Sequence, residues 1–222
     1  MKIFISDLHI SSPLFKKDKE IINLINNKDV EEVFILGDIL DTWEENSYTT
    51  AIDSKKDFIY EINQCEKIKL ILIGNHDPEI NIMKEIFPNT IITDKHAMDL
   101  FGKKVILVHG NEFDISSSYL KYFFFIHYIG ERIGMNVKGY FRNIYYNNLL
   151  KKRGLTNDDI VIDIEKKLVA FYTGDFDLVI CGHTHIPKIV KTESIIYANC
   201  GSCISTPSYI RADNNILSLI KL

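Results

Sequence analysis

Apolar residues recur along the 222-residue chain in short runs rich in Ile, Val and Leu: Ile3–Ile5, Val33–Leu36, Ile68–Ile73, Val105–Val108 and Leu178–Cys181. Each is the length of a buried strand. Between the first three lie segments with helical spacing of apolar positions, Ile21, Ile22, Leu24 and Ile25, then Phe58, Ile59 and Ile62. Strand–helix–strand alternation predicts a layered α/β domain with partly parallel pairing. After Pro88 the pattern changes. Thr90–Thr93 and Ala97–Phe101 read as strands, and Gly102-Lys103 as a hairpin turn into Val105. A second, antiparallel sheet is expected there, extended by Ile195–Ala198 and Ile216–Ile220.

The residues at the carboxyl end of each run carry the chemistry. Ile5 is followed by Ser6-Asp7-Leu8-His9, Leu36 by Gly37-Asp38-Ile39-Leu40-Asp41, and Ile73 by Gly74-Asn75-His76-Asp77. Val108 leads into His109-Gly110, and Cys181 into Gly182-His183-Thr184-His185. Ligands of open α/β sheets gather at the carboxyl ends of strands. Five strand ends here all deliver Asp, His or Asn.

Composition sets the frame. Hydrophobic content of 46% and charged content of 25% are those of a globular chain with a packed core, in one domain spanning 1–222. A net charge of −4 argues against a general nucleic-acid binder. The N-terminus enters a strand without a signal-peptide pattern, and no apolar run is long enough to span a bilayer, so a cytoplasmic protein is expected. Cys65, Cys181, Cys200 and Cys203 read as reduced thiols; the Cys200–Cys203 pair has no second pair to complete a zinc site.

Imidazole, carboxylate and amide oxygen together suit intermediate divalent cations, manganese foremost and iron, cobalt, nickel or zinc as alternatives. Asp7 and His9, two apart in an extended strand exit, would point the same way, and His183 and His185 repeat the spacing. Asp38 is suited to bridge, Asn75 supplies a neutral oxygen and His109 another imidazole. Seven candidate ligands are more than one metal needs and suit two that share a carboxylate. Taken singly, each motif occurs by chance in many proteins. Five in order at five strand ends do not. Two cations roughly 3.5–4 Å apart can acidify a shared water for attack on phosphorus while neutralising its oxygens.

The series DxH, GDxxD, GNHD, an isolated His and GHxH resembles the calcineurin-like metallophosphoesterase superfamily, from Asp7 to His185. Within it, Gly37-Asp38-Ile39-Leu40-Asp41-Thr42-Trp43 and His109-Gly110-Asn111-Glu112-Phe113-Asp114 look like the corresponding blocks of UDP-2,3-diacylglucosamine hydrolases and their relatives. The resemblance implies a four-layer sandwich of two mixed β-sheets flanked by helices, with a helical cap inserted over 115–155. It implies one metal held by Asp7, His9, Asp38 and His185, and a second by Asp38, Asn75, His109 and His183. His76 then matches the non-ligand histidine that stabilises the transition state or protonates the leaving oxygen, and Asp41 the carboxylate that can orient and charge it, while Asp77 fixes the loop. The best-known lipid A enzymes of the group carry Arg where this chain has His76, and in that the chain is more similar to the group's second branch.

The segment Ser116–Gly154 is the clue to the substrate. It gathers Tyr122, Phe123, Phe124, Phe125 and Tyr128 with Arg132, Lys138, Arg142 and Lys151-Lys152-Arg153. One reading is a packing face or homo-oligomer contact. Another is an apolar groove for acyl chains, with basic residues near phosphates or the inner membrane surface; Asn111, Asp114, Arg132, Arg142 and Arg153 would then contact substrate. A third is nucleic acid, with bases stacked on the aromatics. The leading expectation is a two-metal phosphoesterase, a UDP-2,3-diacylglucosamine pyrophosphatase-like hydrolase of a lipid or nucleotide-linked phosphate. A general soluble phosphodiesterase, nucleotidase or nuclease is the alternative. A metal-binding scaffold would need neither His76 nor Asp41.

Overall fold

The apolar runs become strands of two sheets. The computed structural model describes residues 1–42, 48–114 and 156–222. Trp43, the aromatic-basic segment and the expected cap over 115–155 therefore lie outside the described residues. The chain divides into two units, Met1–His109 with Tyr172–Leu222, and Gly110–Phe171.

In the first unit, the first sheet contains β1 (Lys2–Ile5), β2 (Glu32–Leu36), β3 (Ile68–Leu72), β4 (Ile91–Thr93), β10 (Ser208–Asp213) and β11 (Ile216–Lys221), in the order β11-β10-β1-β2-β3-β4. β1 to β4 run parallel; β10 and β11 are antiparallel additions. The second sheet has the order β5-β6-β7-β9-β8 and comprises β5 (Lys95–Leu100), β6 (Lys103–Val108), β7 (Leu178–Cys181), β8 (Lys188–Lys191) and β9 (Ile196–Asn199). It is mixed and not antiparallel as its turn signals predict, because β6, β7 and β9 pair in parallel while only the edges β5 and β8 run against them.

Two strands change sheets relative to expectation. Ile91–Thr93 joins β3 of the first sheet, and Ile216–Lys221 pairs with β10 there. Strands β8 and β10, which the apolar pattern does not mark, carry Lys188, Lys191, Arg211 and Asp213 among their apolar positions. The hairpin turn sits one residue earlier than expected: Leu100 pairs with Lys103, so Phe101 and Gly102 are the central residues. Both have positive φ, 57° and 71°, as a two-residue turn of matching twist requires.

Side chains alternate across the first sheet with period two. Ile3, Ile5, Val33, Ile35 and Ile71 pack with Ile21 and Ile25 of α1 (Asp18–Asn26), Phe58, Ile59 and Ile62 of α3 (Lys56–Gln64) and Met83 of α4 (Ile80–Ile86). A further short helix, α2 (Tyr48–Ser54), precedes α3. The opposite face presents Phe4, Phe34, Leu36, Leu70 and Leu72 to Leu107, Leu178, Ile180 and Ala198 of the second sheet. Within the first unit, helices, sheet and sheet share two cores, and the two mixed sheets with helices match the expected α/β fold; the four-layer count rests on helices beyond this unit. In the second unit, a 3-10 turn (Asn111–Phe113) and α5 (Asn157–Tyr172) are described; α5 buries Ile160, Ile164 and Leu168 at four-residue spacing and opens on a capping box between Thr156 and Asp159.

Phe4 is fully buried between the sheets and stacks on Phe34 with centroids 5.0 Å apart. Phe4→Ala should remove about 3–5 kcal/mol of stability, read from urea unfolding. A loss below ~1 kcal/mol would mean that the inter-sheet core is not the packed layer described.

Candidate metal centre

Parallel pairing explains why the motifs meet. β1, β2 and β3 end on one edge of their sheet, β6 and β7 on one edge of theirs, and the backbone pairing continues past the strand ends. Asp7 N donates to Gly37 O, His9 N to Asp38 O and Gly182 N to His109 O. His183 N crosses between the sheets to Asp7 Oδ2 at 3.0 Å.

The exits are not extended, as the DxH spacing suggests. Asp7, His9, Asp38, His183 and His185 all have positive φ, from 46° to 66°. Such conformations are uncommon for non-glycine residues and persist where surroundings over-determine them. Alternate residues still converge: Leu8 turns into the core while Asp7 and His9 face the site. Backbone approach is close. A Cβ on Gly74 would stand 2.1 Å from Asp38 Oδ1, so only glycine lets the β3 exit pass the carboxylate.

Three sets of side chains bring ligand atoms within 4.8 Å of one another: Asp7, His9 and His185; His9, Asp38 and His76; Asp7, Asp38 and His109. His185 Nε2 lies 3.0 Å from Asp7 Oδ1, His109 Nε2 3.3 Å from Asp38 Oδ2, and His9 Nε2 3.8 Å from the same Oδ2. The His183 ring stands 5.2 Å from that of His109. Asn75 is half-buried in the β3 exit loop beside His76. Asp7 Oδ1, His9 Nε2 and His109 Nε2 are buried, and their contacts with the facing ion-pair partners lack hydrogen-bond geometry. Leaving such groups unsatisfied costs about 1–3 kcal/mol each, and as inward-facing lone-pair atoms they fit a divalent cation. His109 Nδ1 donates to Leu36 O at 2.8 Å, the orientation that leaves Nε2 to a metal.

Asp41 serves two histidines. Its Oδ1 lies 2.9 Å from His76 Nδ1 and its Oδ2 3.3 Å from His9 Nδ1. The Ser11 hydroxyl accepts from Asp41 N at 3.0 Å, and Thr42 Oγ1 donates to His76 O. Asp77 joins the β2 and β3 exits by accepting the backbone N–H groups of Asp38, Leu40 and Gly74.

Burial and neighbouring charge compete throughout. Burial pushes the Asp7 carboxyl up, but His185 and His109 outweigh it and hold it down at about 2. Asp38 is likewise held well below the usual carboxylate range by His109, His76 and His9 against its burial, and Asp41 is lowered by His76 and His9. Burial drives His109 toward neutrality, yet Asp38 and Asp7 raise it to about 10; His9 is raised by Asp41, Asp38 and Asp7. Asp77 is pushed up to about 7 by burial and the Asp38 charge, against its amide donors.

Asn111 and Asp114 belong to the second unit, at the 3-10 turn after Gly110 and just beyond it. Arg132, Arg142 and Arg153 are outside the described residues. The apolar pattern missed Ser11 and the loop Asn199–Cys203, where Cys203 N and Ser202 Oγ both donate to Asp7 O. Asn199, a polar residue ending the apolar run Ile195–Ala198, was visible by the same strand-end rule. None of the four cysteines forms a disulfide, and three are buried.

The model of the family described as calcineurin-like phosphoesterase matches residues 3–187. A UDP-2,3-diacylglucosamine hydrolase of Vibrio vulnificus is 26% identical over 208 residues, covering 84% of this chain and 82% of that protein. Among solved structures, an archaeal phosphodiesterase aligns over 100% of this chain and 99% of its own, with a TM-score of 0.53 and 19% identity. Yfce, a phosphoesterase from E. coli, aligns over 99% and 92%, with a TM-score of 0.57 and 20% identity.

With the metal chelated, His109 should dominate alkaline stability. Its folded pKa, about 10, lies above the ~6.5 of an unfolded histidine. The folded state therefore binds the extra proton in that interval, and stability falls as pH rises from 7 to 10. Asp38 and Asp7, shifted down, instead lose their contribution as pH drops below ~4. Urea unfolding of chelator-treated protein at pH 7, 8, 9 and 10 reads this. The fall should exceed that of His109→Gln, and equal slopes would contradict the charge placed on His109.

Proposed function

The chain belongs to the calcineurin-like phosphoesterase family and is a metal-dependent phosphoester hydrolase, and from that premise we propose a dinuclear enzyme that hydrolyses a UDP-2,3-diacylglucosamine-like lipid or nucleotide-linked pyrophosphate. The carrying observation is the relation to the Vibrio hydrolase over 84% of this chain. Asp7, His9, Asp38 and His185 would hold one divalent cation, and Asp38, Asn75, His109 and His183 the other, manganese being the first choice. When bound, the pair supplies an acidified water as nucleophile and offsets negative charge on the phosphoryl oxygens.

The chain's own residues do the rest. Asp38 stands between His9 and His109, where a shared carboxylate belongs. Asp41 orients His76 through Nδ1, so proton transfer to the leaving oxygen runs through Nε2. Asn111, Asp114, Arg132, Arg142 and Arg153 are proposed to contact substrate. The aromatic-basic stretch 116–154 supports acyl chains held near a membrane surface by its composition. Among the described residues, no helix is long and apolar enough to cross a membrane.

His76 favours a second reading. Where the best-known lipid A enzymes have Arg, this chain has the histidine of general phosphodiesterases, so a soluble diester or nucleotide is the competing substrate.

Two measurements test the proposal. His76→Ala should lower kcat by about 10²- to 10⁴-fold with manganese content unchanged; an unaltered kcat would remove His76 from the reaction. Supplied with Mn²⁺, the wild-type protein should hydrolyse UDP-2,3-diacylglucosamine faster than a chromogenic diester, cyclic nucleotides or single-stranded DNA. Turnover of the water-soluble substrates alone would overturn the lipid assignment and leave the phosphodiesterase reading.

A further inference from the structure

One buried amide links the two loops that carry Asp7 and the His183–His185 pair. Asn199 ends β9 opposite Cys181 and is fully buried. Its Nδ2 lies 2.6 Å from Gly182 O and 3.1 Å from Thr184 Oγ1, with Tyr197 OH and Cys181 Sγ at 3.2 and 3.5 Å. An amide has two protons to donate, and the two shortest contacts both go to the loop bearing the histidines. Its Oδ1 accepts Gly201 N at 2.8 Å. Gly201 O accepts from Ser6 Oγ, and the next two residues hold Asp7 O through Ser202 Oγ and Cys203 N.

The loop so gripped is under conformational strain. His183 and His185 both have positive φ, with Thr184 between them. Asn199 donates to the residue before this triplet and to the residue at its centre, the two points that fix where both imidazoles leave the backbone. On the other side, His183 N reaches Asp7 Oδ2 and His185 Nε2 reaches Asp7 Oδ1. Asp7 is thus held through its carbonyl from the Asn199–Cys203 loop and through its carboxylate from the loop that Asn199 clamps.

We propose that Asn199 is a positioning residue for the metal centre: its side-chain amide sets the His183–His185 loop against Asp7 and thereby sets cation affinity. The inference rests on the metal assignment of the proposed function. It needs an amide at this position, since a carboxylate can accept from Gly201 N but cannot donate to Gly182 O or Thr184 Oγ1.

The experiment is calorimetric titration of the chelator-treated, full-length protein with Mn²⁺, repeated with Co²⁺ while its d–d absorption is recorded. Asn199→Asp should weaken Mn²⁺ binding about 10- to 100-fold, the range for groups that orient metal ligands, and alter the Co²⁺ spectrum. Saturating Mn²⁺ should then restore most of kcat. A folded Asn199→Asp protein that binds Mn²⁺ within threefold of wild type, with an unchanged Co²⁺ spectrum, overturns the proposal even if its unfolding midpoint is lower. Where Asn199→Asp does not fold, Thr184→Val decides: it deletes one clamped partner on the half-buried loop, and a threefold or greater loss of affinity supports the clamp while a smaller one overturns it. The titration reads metal directly, so a wild-type protein that binds Mn²⁺ but hydrolyses none of the phosphate esters defeats the proposed function without deciding this inference.

Discussion

Three buried carboxylates, Asp7, Asp38 and Asp41, set against buried imidazoles are the constraint around which the rest of the first unit is arranged. Desolvating them singly would drive each toward its neutral form. They stay ionised because His9, His76, His109 and His185 supply opposing charge within a few ångströms, and because backbone amides reach their oxygens, His76 N to Asp38 and His183 N to Asp7. Two parallel strand bundles deliver these groups without long loops. Strained φ values at five of the seven candidate ligands are what converging five strand ends on so small a volume demands.

The same crowding explains the supporting residues. Asp77 accepts three amides from two exits, Ser11 braces Asp41, and the Asn199–Cys203 loop braces Asp7. Small side chains recur in these loops because the space between ligands is already occupied, as the approach of Gly74 to Asp38 shows. Buried Cys200 and Cys203 belong to this class. Burial pushes their thiols up, as expected of small apolar fillers beside Asp7.

Much of this was legible in the sequence where the signal is local. Apolar runs such as Ile3–Ile5 and Leu178–Cys181 are buried on both faces, so they read as strands without reference to partners. Each delivers its ligands within four residues of its end. Sheet membership was not legible, because pairing Ile91–Thr93 with β3, or Ile216–Lys221 with β10, depends on contacts no local pattern encodes. Strands β8 and β10 were missed because Lys and Arg interrupt their apolar runs. The left-handed backbone at Asp7 and His9 was hidden for another reason: two-residue spacing puts alternate side chains on one side in a strand, and here Leu8 is driven inward with the same result. Asn199 was readable only by treating its strand end like the other five.

Protons and cations compete for this centre, and the competition ties fold to function. The carboxylates are held ionised, which favours a cation, while the same carboxylates draw His9 and His109 toward their charged forms, which cannot ligate. In the absence of metal, the imidazolium groups stabilise the buried acids. Under the proposed metal assignment, a bound cation would take over that role and the imidazoles would serve as its ligands. The site would then be a charge-balanced core in either state, with metal binding an exchange of protons for a cation within a cage that the parallel strands have already built.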